Sequence, residues 1–192
     1  MKIQIGDFSN ISQKCIRHFW RAKKKAKQNK KKLGNKDQGE RGGATAGKNL
    51  NGFIKAITRI VKDASNQPLQ ICIGHTDVTL PGFFRVAKRW DIVVLDESGR
   101  ILLAIELKSL GGPSYGNNAN NRCEEAIGNA VDFRTAQRDG TFGRGAKPFL
   151  GYLILVEDDE KSSRPPKYAP KAPHFENDPI FQGASYQQRM AI

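Results

Sequence analysis

Residues 89–109 read RWDIVVLDESGRILLAIELKS, in which two apolar runs flank a polar turn. A two-residue turn at Ser98-Gly99 joins the runs as a β-hairpin, because glycine accepts the positive φ that such a turn needs. The facing pairs are then Glu97 with Arg100, Leu95 with Leu102, Val93 with Ala104, and Asp91 with Glu106. Lys108, two residues beyond Glu106, faces the same way. The other face is apolar and is predicted to be core, with Trp90, Ile92, Val94, Leu103, Ile105 and Leu107.

This arrangement predicts a chemistry for the polar face of the hairpin. Two facing carboxylates, Asp91 and Glu106, repel each other unless a cation lies between them, and Mg²⁺ commonly binds one or two carboxylates together with substrate phosphate. Lys108 beside them can contact an attacking water or the scissile phosphate, which is the equipment for metal-assisted phosphodiester hydrolysis. The alternative is structural: Lys108 is then a counter-ion of Glu106, and Asp91 caps a turn.

The composition favours a protein without a membrane segment. The 192 residues are 38% hydrophobic, and no run of eighteen apolar residues exists. The start of the chain, MKIQIGDFSN, does not read as a signal peptide. Three cysteines lie far apart with no CxxC pair, which fits a reducing cytoplasm.

A basic run near the start of the chain suggests a polyanionic partner. Residues 21–32, RAKKKAKQNKKK, lie in a predicted helix over 9–32 and carry eight of the positive charges without any acid, and the net charge is +13. We expect Lys23, Lys24 and Lys27 to contact nucleic-acid phosphates without reading sequence. A solvated basic helix face is the alternative.

The order of elements predicts an α/β fold. A helix over 48–65 is followed by three strands, a helix from about Arg122 to Arg138, and a buried strand over 148–157. The strands are apolar on both faces, so a central mixed sheet flanked by helices is expected, in the order αβββαβ. Three segments follow: a basic helix and glycine-rich link (1–47), a core (48–160), and a proline-rich, mostly loop segment (161–192).

The polar block over 114–125, SYGNNANNRCEE, spans most of a predicted loop over 111–121 and the start of the helix that follows it. Asparagine can read adenine and arginine can read guanine. The candidates for DNA contact are Asn117, Asn118, Asn120, Asn121 and Arg122. Alternatively, they are turn residues and helix caps. Glu124 and Glu125 are predicted in the first turn of the helix, where Glu125 could reach a metal, and Arg89 falls opposite Lys108 as a phosphate contact.

The pair Trp90-Asp91 and Glu106-Leu107-Lys108 resembles the motif of the PD-(D/E)xK nuclease superfamily, without its proline. Longer stretches resemble the XhoI-type restriction endonucleases, above all LLAIELKSLGGPSYGNNANNRCEEAIGNAVDF (102–133) and LPGFFRVAKRWDIVV (80–94). The resemblance extends from about residue 17 to the final ASYQQRM. It implies a restriction-endonuclease-like core, in agreement with the element order.

The resemblance also implies an activity. A type II enzyme would use Mg²⁺ to cut both strands of double-stranded DNA at the palindrome CTCGAG, leaving a 5′-phosphate and a 3′-hydroxyl. Asp91, Glu106 and the Leu107 carbonyl would bind the metal, and Lys108 would activate the water. A palindromic site implies a two-fold homodimer, and host protection implies a companion methyltransferase. Members of the family usually continue past ASYQQRM, so a truncated or shortened relative is expected.

Two other functions are compatible with the residues. One is a basic DNA-binding relative without catalysis, and the other is a PD-(D/E)xK nuclease of DNA repair. The intact set of Asp91, Glu106 and Lys108 argues against the first, because a protein that only binds DNA has no use for all three.

Overall fold

The computed structural model describes residues 7–32, 49–74, 76–166, 174–175 and 178–192, without the side chains of residues 27 and 29–32. The helices are α1 (Phe8–Lys32), α2 (Asn51–Ala64), α3 (Tyr115–Asp139), α4 (Glu160–Ser163) and α5 (Tyr186–Ala191). The strands are β1 (Leu69–Ile73), β2 (Thr79–Leu80), β3 (Lys88–Arg89), β4 (Ile92–Asp96), β5 (Ile101–Leu110) and β6 (Phe149–Val156). Short 3₁₀ turns occupy Thr76–Val78 and Pro179–Phe181. Most of the predicted glycine-rich link lies outside the described residues.

The main sheet has four strands in the order β1-β4-β5-β6. The first three are antiparallel neighbours, whereas β6 runs parallel to β5 and is reached through α3. Strands β2 and β3 form a separate antiparallel pair. The core order αβββαβ and the mixed sheet predicted from the sequence are confirmed.

Both faces of the sheet are covered by helices. One cluster joins Ile92, Val94, Ile105 and Leu107 to Phe19 of α1 and to the apolar side of α2. The continuous apolar strands are explained by this burial on two sides. As a separate finding, no helix among the described residues is both long and apolar enough to cross a membrane.

The second cluster lies between the sheet and α3, and it includes Val93, Ala104 and Phe133. Trp90 belongs to it as well, with its ring centroid 5.5 Å from that of Phe133. Its predicted position on the opposite face is wrong, because Trp90 precedes β4 and its N–H donates a hydrogen bond to the Val78 carbonyl instead.

The β4–β5 hairpin keeps the predicted register from Ile92 to Val94 but not beyond Val94. Val93 pairs with Ala104 as predicted, but Leu95 pairs with Ile101, because the register shifts by one residue between Val94 and Leu95. The predicted two-residue turn is wrong: the Asp96 N–H donates to the Arg100 carbonyl at 3.0 Å, which leaves three residues in the turn. The Asp96 carboxylate stabilises this turn by accepting the Ser98 and Arg100 N–H groups at 2.9 and 3.0 Å.

Helix α3 begins at Tyr115, well before the predicted start near Arg122. Tyr115 is buried, stacks on Tyr186 with ring centroids 6.1 Å apart, and packs with Ala119 against Leu110. This burial outweighs the turn preference of asparagine, so the predicted loop is a helix. Neither Asn120 nor Asn121 caps it, and Glu124 and Glu125 lie in its third turn rather than its first.

The C-terminal segment contains two short helices within the predicted loop region. The Asp159 carboxylate caps α4 by accepting the N–H groups of Lys161 and Ser162. Ser185 and Gln188 form the equivalent reciprocal cap of α5. Capping boxes of this kind can be read from sequence, but the proline-rich context conceals them.

We expect Phe133→Ala to lower the free energy of unfolding by about 3–5 kcal/mol, the usual loss for a buried phenylalanine. The Phe133 side chain is 2% exposed and contacts Trp90 and Phe142. Val131→Ala on the same helix is the control, because Val131 is 51% exposed. Denaturant unfolding followed by circular dichroism measures both changes, and equal losses would contradict the assigned core.

Candidate active site

Glu106 is a buried acid in the middle of β5, with only 5% of its surface exposed. Each of its carboxylate oxygens contacts a lysine. The Lys108 Nζ lies 2.6 Å from Oε1, and the Lys88 Nζ lies 2.9 Å from Oε2. A buried carboxylate requires such partners, because its desolvation is otherwise very unfavourable.

Lys88 is itself held in place by three contacts. Besides Glu106, its ammonium group donates to the Arg89 carbonyl at 3.1 Å and lies 4.6 Å from the centroid of the Trp90 ring. The Lys88 side chain is 13% exposed, compared with 30% for Lys108. Lys88 is therefore the more enclosed of the two cations.

Asp91 lies immediately before β4 and is anchored to β5. Its N–H donates to the Ile105 carbonyl at 3.1 Å, and its Oδ2 accepts the Leu107 N–H at 2.7 Å. Burial raises the pKa of Asp91 above its ordinary value, and the Glu106 charge adds to this rise; the hydrogen bond from Leu107 and the two lysines lower it only in part. The structure thus brings the predicted trio of Asp91, Glu106 and Lys108 into one electrostatically coupled group.

The donor set fits a hard divalent cation. Asp91 and Glu106 offer carboxylate oxygens, the ligand type that Mg²⁺ prefers. The ammonium group of Lys88 already places a positive charge beside the Glu106 carboxylate. The described residues contain no group of three or more His, Cys, Asp or Glu side chains suited to a metal. A bound ion would therefore need backbone, water or substrate oxygens in addition.

Helix α3 and strand β6 add polar groups beside this cluster. Arg122 Nη1 contacts Glu125 Oε2 at 2.5 Å, and the same oxygen lies 4.0 Å from the Lys108 Nζ. Tyr152 pairs with Glu106 across β5 and β6. Burial raises the pKa of Tyr152, as does the Glu125 charge. The Tyr152 hydroxyl and the Arg122 Nε are buried without a hydrogen-bond partner among the described residues.

The predicted DNA contacts lie in three different settings. Asn117, Asn120 and Asn121 are exposed in the first turns of α3, and Asn118 is half-buried there. Arg122 is engaged by Glu125, as described above.

Arg89 does not lie opposite Lys108, and this register prediction is wrong. Arg89 is exposed in β3 and pairs with Thr79 of β2, because the chain leaves the main sheet before β4. Its neighbour Lys88 reaches Glu106 instead. Strand alternation conceals this contact, since Lys88 and Asp91 are an odd number of residues apart and a continuous strand would put them on opposite faces.

The basic helix is only partly free to contact phosphate. Lys23 forms a salt bridge with Glu157 at 3.2 Å and lies 4.7 Å from the centroid of the Trp20 ring. Lys24 is exposed. The Lys27 side chain lies outside the described residues, so that part of the prediction stays a prediction.

A mixed sheet in the order αβββαβ, with acids and lysines gathered beside its central hairpin, defines the restriction-endonuclease-like class. The family described as "Restriction endonuclease XhoI" matches residues 27–192. The chain belongs to the XhoI restriction endonuclease family, a family of DNA-cleaving enzymes.

Its curated relatives are similar over most of the chain. It is 40% identical to the type II restriction enzyme XhoI of Xanthomonas vasicola, over 100% of this chain and 76% of the relative. It is 39% identical to the type II restriction enzyme AbrI of Azospirillum brasilense, over 91% and 77%. For the type II restriction enzyme BstVI of Geobacillus stearothermophilus the identity is 40%, over 84% and 73%. No solved structure matches the chain.

We expect Asp91→Asn to raise the midpoint of thermal unfolding, Tm, of the metal-free protein at pH 7. Because the pKa of Asp91 is raised in the folded state, the ionised carboxylate opposes folding above that pKa. The effect disappears below the ordinary value of 3.8. Calorimetry in EDTA measures it, with about 2–4 °C in Tm for each kcal/mol in a chain of this size.

Asp96→Asn is the control of opposite sign. Hydrogen bonds from Ser98 and Arg100 lower the pKa of Asp96 to about 2, so this carboxylate stabilises the fold above its ordinary pKa. Its contribution is lost as the pH falls through about 2. A lower Tm for Asp91→Asn than for the unmodified protein at pH 7 would contradict the assignment.

Proposed function

We propose that the protein is a type II restriction endonuclease that hydrolyses both strands of double-stranded DNA at CTCGAG. The reaction uses Mg²⁺ and leaves a 5′-phosphate and a 3′-hydroxyl. The observation that carries the proposal is the buried Glu106 between two lysines, coupled to Asp91, whose ionisation opposes folding. Hydrolysis of a phosphodiester with the help of a metal ion and a lysine requires acids and a lysine in such an arrangement.

Each residue of the cluster has a distinct role in this reaction. Asp91, Glu106 and the Leu107 carbonyl would hold Mg²⁺, and a bound ion would supply Lewis-acid chemistry for the phosphate and for a water molecule. Lys108 orients the attacking water and adds positive charge where the transition state is most negative. The Leu107 N–H holds the Asp91 carboxylate in position through a 2.7 Å hydrogen bond.

Lys88 compensates the charge of the Glu106 carboxylate and fixes its orientation before a metal binds. Its ammonium group and that of Lys108 each contact one carboxylate oxygen, so both oxygens are already paired with a cation. A divalent cation that approached Glu106 on the side of Oε2 would compete with the Lys88 ammonium group for that oxygen. We assign this exchange to Lys88 because Lys108 has the role of orienting the water, and a displaced Lys88 would be available to contact a DNA phosphate.

A DNA-binding protein without catalysis is the second candidate, and the energetics of the cluster disfavour it. Burying Glu106 and ionising Asp91 both oppose folding, and binding alone gains nothing from either. A repair nuclease is disfavoured by the family membership, because the relatives are named as restriction enzymes.

The partners follow from the reaction. Cutting both strands of a palindrome needs two active sites related by a two-fold axis, so the protein acts as a homodimer. A companion methyltransferase protects the host DNA in the same cytoplasm. The exposed Asn117, Asn120 and Asn121, with Asn118 and Arg122, are the proposed base readers on α3. Lys24, with Lys23, Lys27 and Arg89, supplies contacts to phosphate.

We expect the protein to cut long DNA carrying one CTCGAG into two defined fragments, and only when Mg²⁺ is present. Asp91→Ala, Glu106→Ala and Lys108→Ala should each lower the cleavage rate by about 10²–10⁴-fold, the usual contribution of such groups. Glu97→Ala, an exposed acid in the same hairpin, is the control. Gel analysis and sequencing of the ends measure the outcome.

The unchanged binding of DNA separates catalysis from folding in this experiment. The three variants should still bind the duplex in Ca²⁺, because they keep the surfaces proposed to contact DNA. Full cleavage by Glu106→Ala would refute the metal assignment. Tight, salt-sensitive binding without any cleavage by the unmodified protein would favour the non-catalytic candidate.

We expect Lys88→Met to bind Mn²⁺ more tightly in the absence of DNA, because a competing cation has left Glu106. A tenfold change in affinity corresponds to about 1.4 kcal/mol. Arg89→Met removes the same charge from an exposed neighbour and should leave the affinity nearly unchanged. Calorimetric titration measures both, and weaker binding by Lys88→Met would contradict the exchange.

A further inference from the structure

The loop between β2 and β3, residues 81–87, is built around one buried carboxylate of α3. Asp132 is 5% exposed, and its Oδ1 accepts the N–H groups of Phe83, Phe84 and Arg85 at 3.0, 2.7 and 3.3 Å. Successive backbone N–H groups converging on one oxygen fix the path of the loop.

The side chain of Arg85 closes the same arrangement. Its Nε and Nη2 donate to Asp132 Oδ2 at 3.2 and 3.0 Å, and its Nη1 donates to Asn129 at 2.9 Å. Burial alone would raise the pKa of Asp132, but the hydrogen bond from Phe84 and the Arg85 guanidinium outweigh it and hold the pKa below its usual range. Gly82 lies against this carboxylate so closely that a Cβ would collide with it.

The fixed loop presents its apolar side chains to solvent. Phe83 is 49% exposed, Phe84 is 69% exposed and Val86 is 99% exposed. The two phenylalanine rings meet edge to face, with centroids 4.9 Å apart. The buried hydrogen bonds therefore order a loop whose largest side chains contribute little to the core. A loop that is already ordered before it contacts a partner loses less conformational entropy on association.

The position and the charge of the loop favour DNA as its partner. The chain leaves the loop directly into Lys88, whose ammonium group contacts Glu106 of the candidate active site. Residues 78–90 contain three basic residues and no acid, within a chain of net charge +13. Arg85 and Lys88 are paired with Asp132 and Glu106, and Arg89 is exposed. A second copy would bring like charge to this surface, whereas DNA brings phosphates together with base surfaces that accept aromatic rings.

We propose that residues 81–87 form a preorganised DNA-contacting loop, in which Phe83 and Phe84 pack against bases next to the cleaved strand. Apolar side chains of proteins insert between base steps in this way and deform the duplex. The inference rests on DNA being the substrate, but it does not depend on which residues bind the metal. The loop contributes affinity and positions the duplex, while Lys88 and Glu106 belong to the catalytic cluster.

The test is the affinity of loop variants for DNA in Ca²⁺. Phe83→Ala and Phe84→Ala should each weaken binding of a 20-base-pair duplex carrying CTCGAG by about five- to a hundredfold, the range for loss of a base–aromatic contact. Phe175→Ala is the control, since Phe175 is 81% exposed and lies outside the loop. The variants remove exposed side chains, so Tm should stay within about 2 °C of the unmodified protein.

Asp132→Asn tests the preorganisation separately. It weakens the support of the loop while keeping both phenylalanines, so we expect a smaller loss of affinity than for Phe84→Ala.

An adenine analogue that fluoresces when it is unstacked reports directly on the bases. Placed in the duplex, it should increase in fluorescence with the unmodified protein and show no increase with Phe84→Ala.

Three results would overturn the inference. Unchanged affinity of both phenylalanine variants would remove the loop from the DNA interface. Loss of affinity together with a change from dimer to monomer, measured by light scattering, would make the loop an interface between two copies. Failure of the unmodified protein to bind any duplex would overturn this inference and the proposed function together, whereas binding without cleavage would leave the loop in place.

Discussion

The burial of Glu106 between two ammonium groups is the constraint on which the site depends. A carboxylate inside a sheet is tolerated only when its charge is compensated at short range, and Lys88 and Lys108 do this on separate oxygens. Lys108 comes from the same strand, so its position follows from the pleat. Lys88 comes from β3, and its approach requires the chain to leave the main sheet just before β4. The path of the chain before β4 therefore brings Lys88 into contact with Glu106.

Helix α3 connects the candidate catalytic cluster with the two surfaces proposed to contact DNA. Its first turns carry the asparagines, and its third turn brings Glu125 to 4.0 Å from Lys108. Further along, Asp132 holds the loop that presents Phe83 and Phe84. Because α3 is a rigid crossover between two parallel strands, DNA bound by the loop would have a fixed position relative to Glu106. The proposed recognition and the proposed hydrolysis of DNA would thus be coupled through this one helix.

Local patterning predicts the elements better than it predicts their contacts. The alternation along β4 and β5 places Glu106 and Lys108 together correctly, because the side-chain period of a strand is two. The same rule fails for Lys88, since it assumes a continuous strand where the chain pairs with β2 instead. The start of α3 is missed because Tyr115 is buried by Tyr186, which is distant in sequence. Partners brought in by tertiary structure leave no periodic signal near the residue that they affect.

The location of a bound metal ion tests the proposed roles of Asp91 and Glu106 most directly. Crystals of the protein with cognate DNA and Mn²⁺, measured for anomalous scattering, would show where the ion lies. We expect one peak in contact with the carboxylates of both Asp91 and Glu106, and Lys88 moved away from Glu106 Oε2. Cognate DNA bound with both lysines still on Glu106, and a metal ion elsewhere or absent, would contradict these roles.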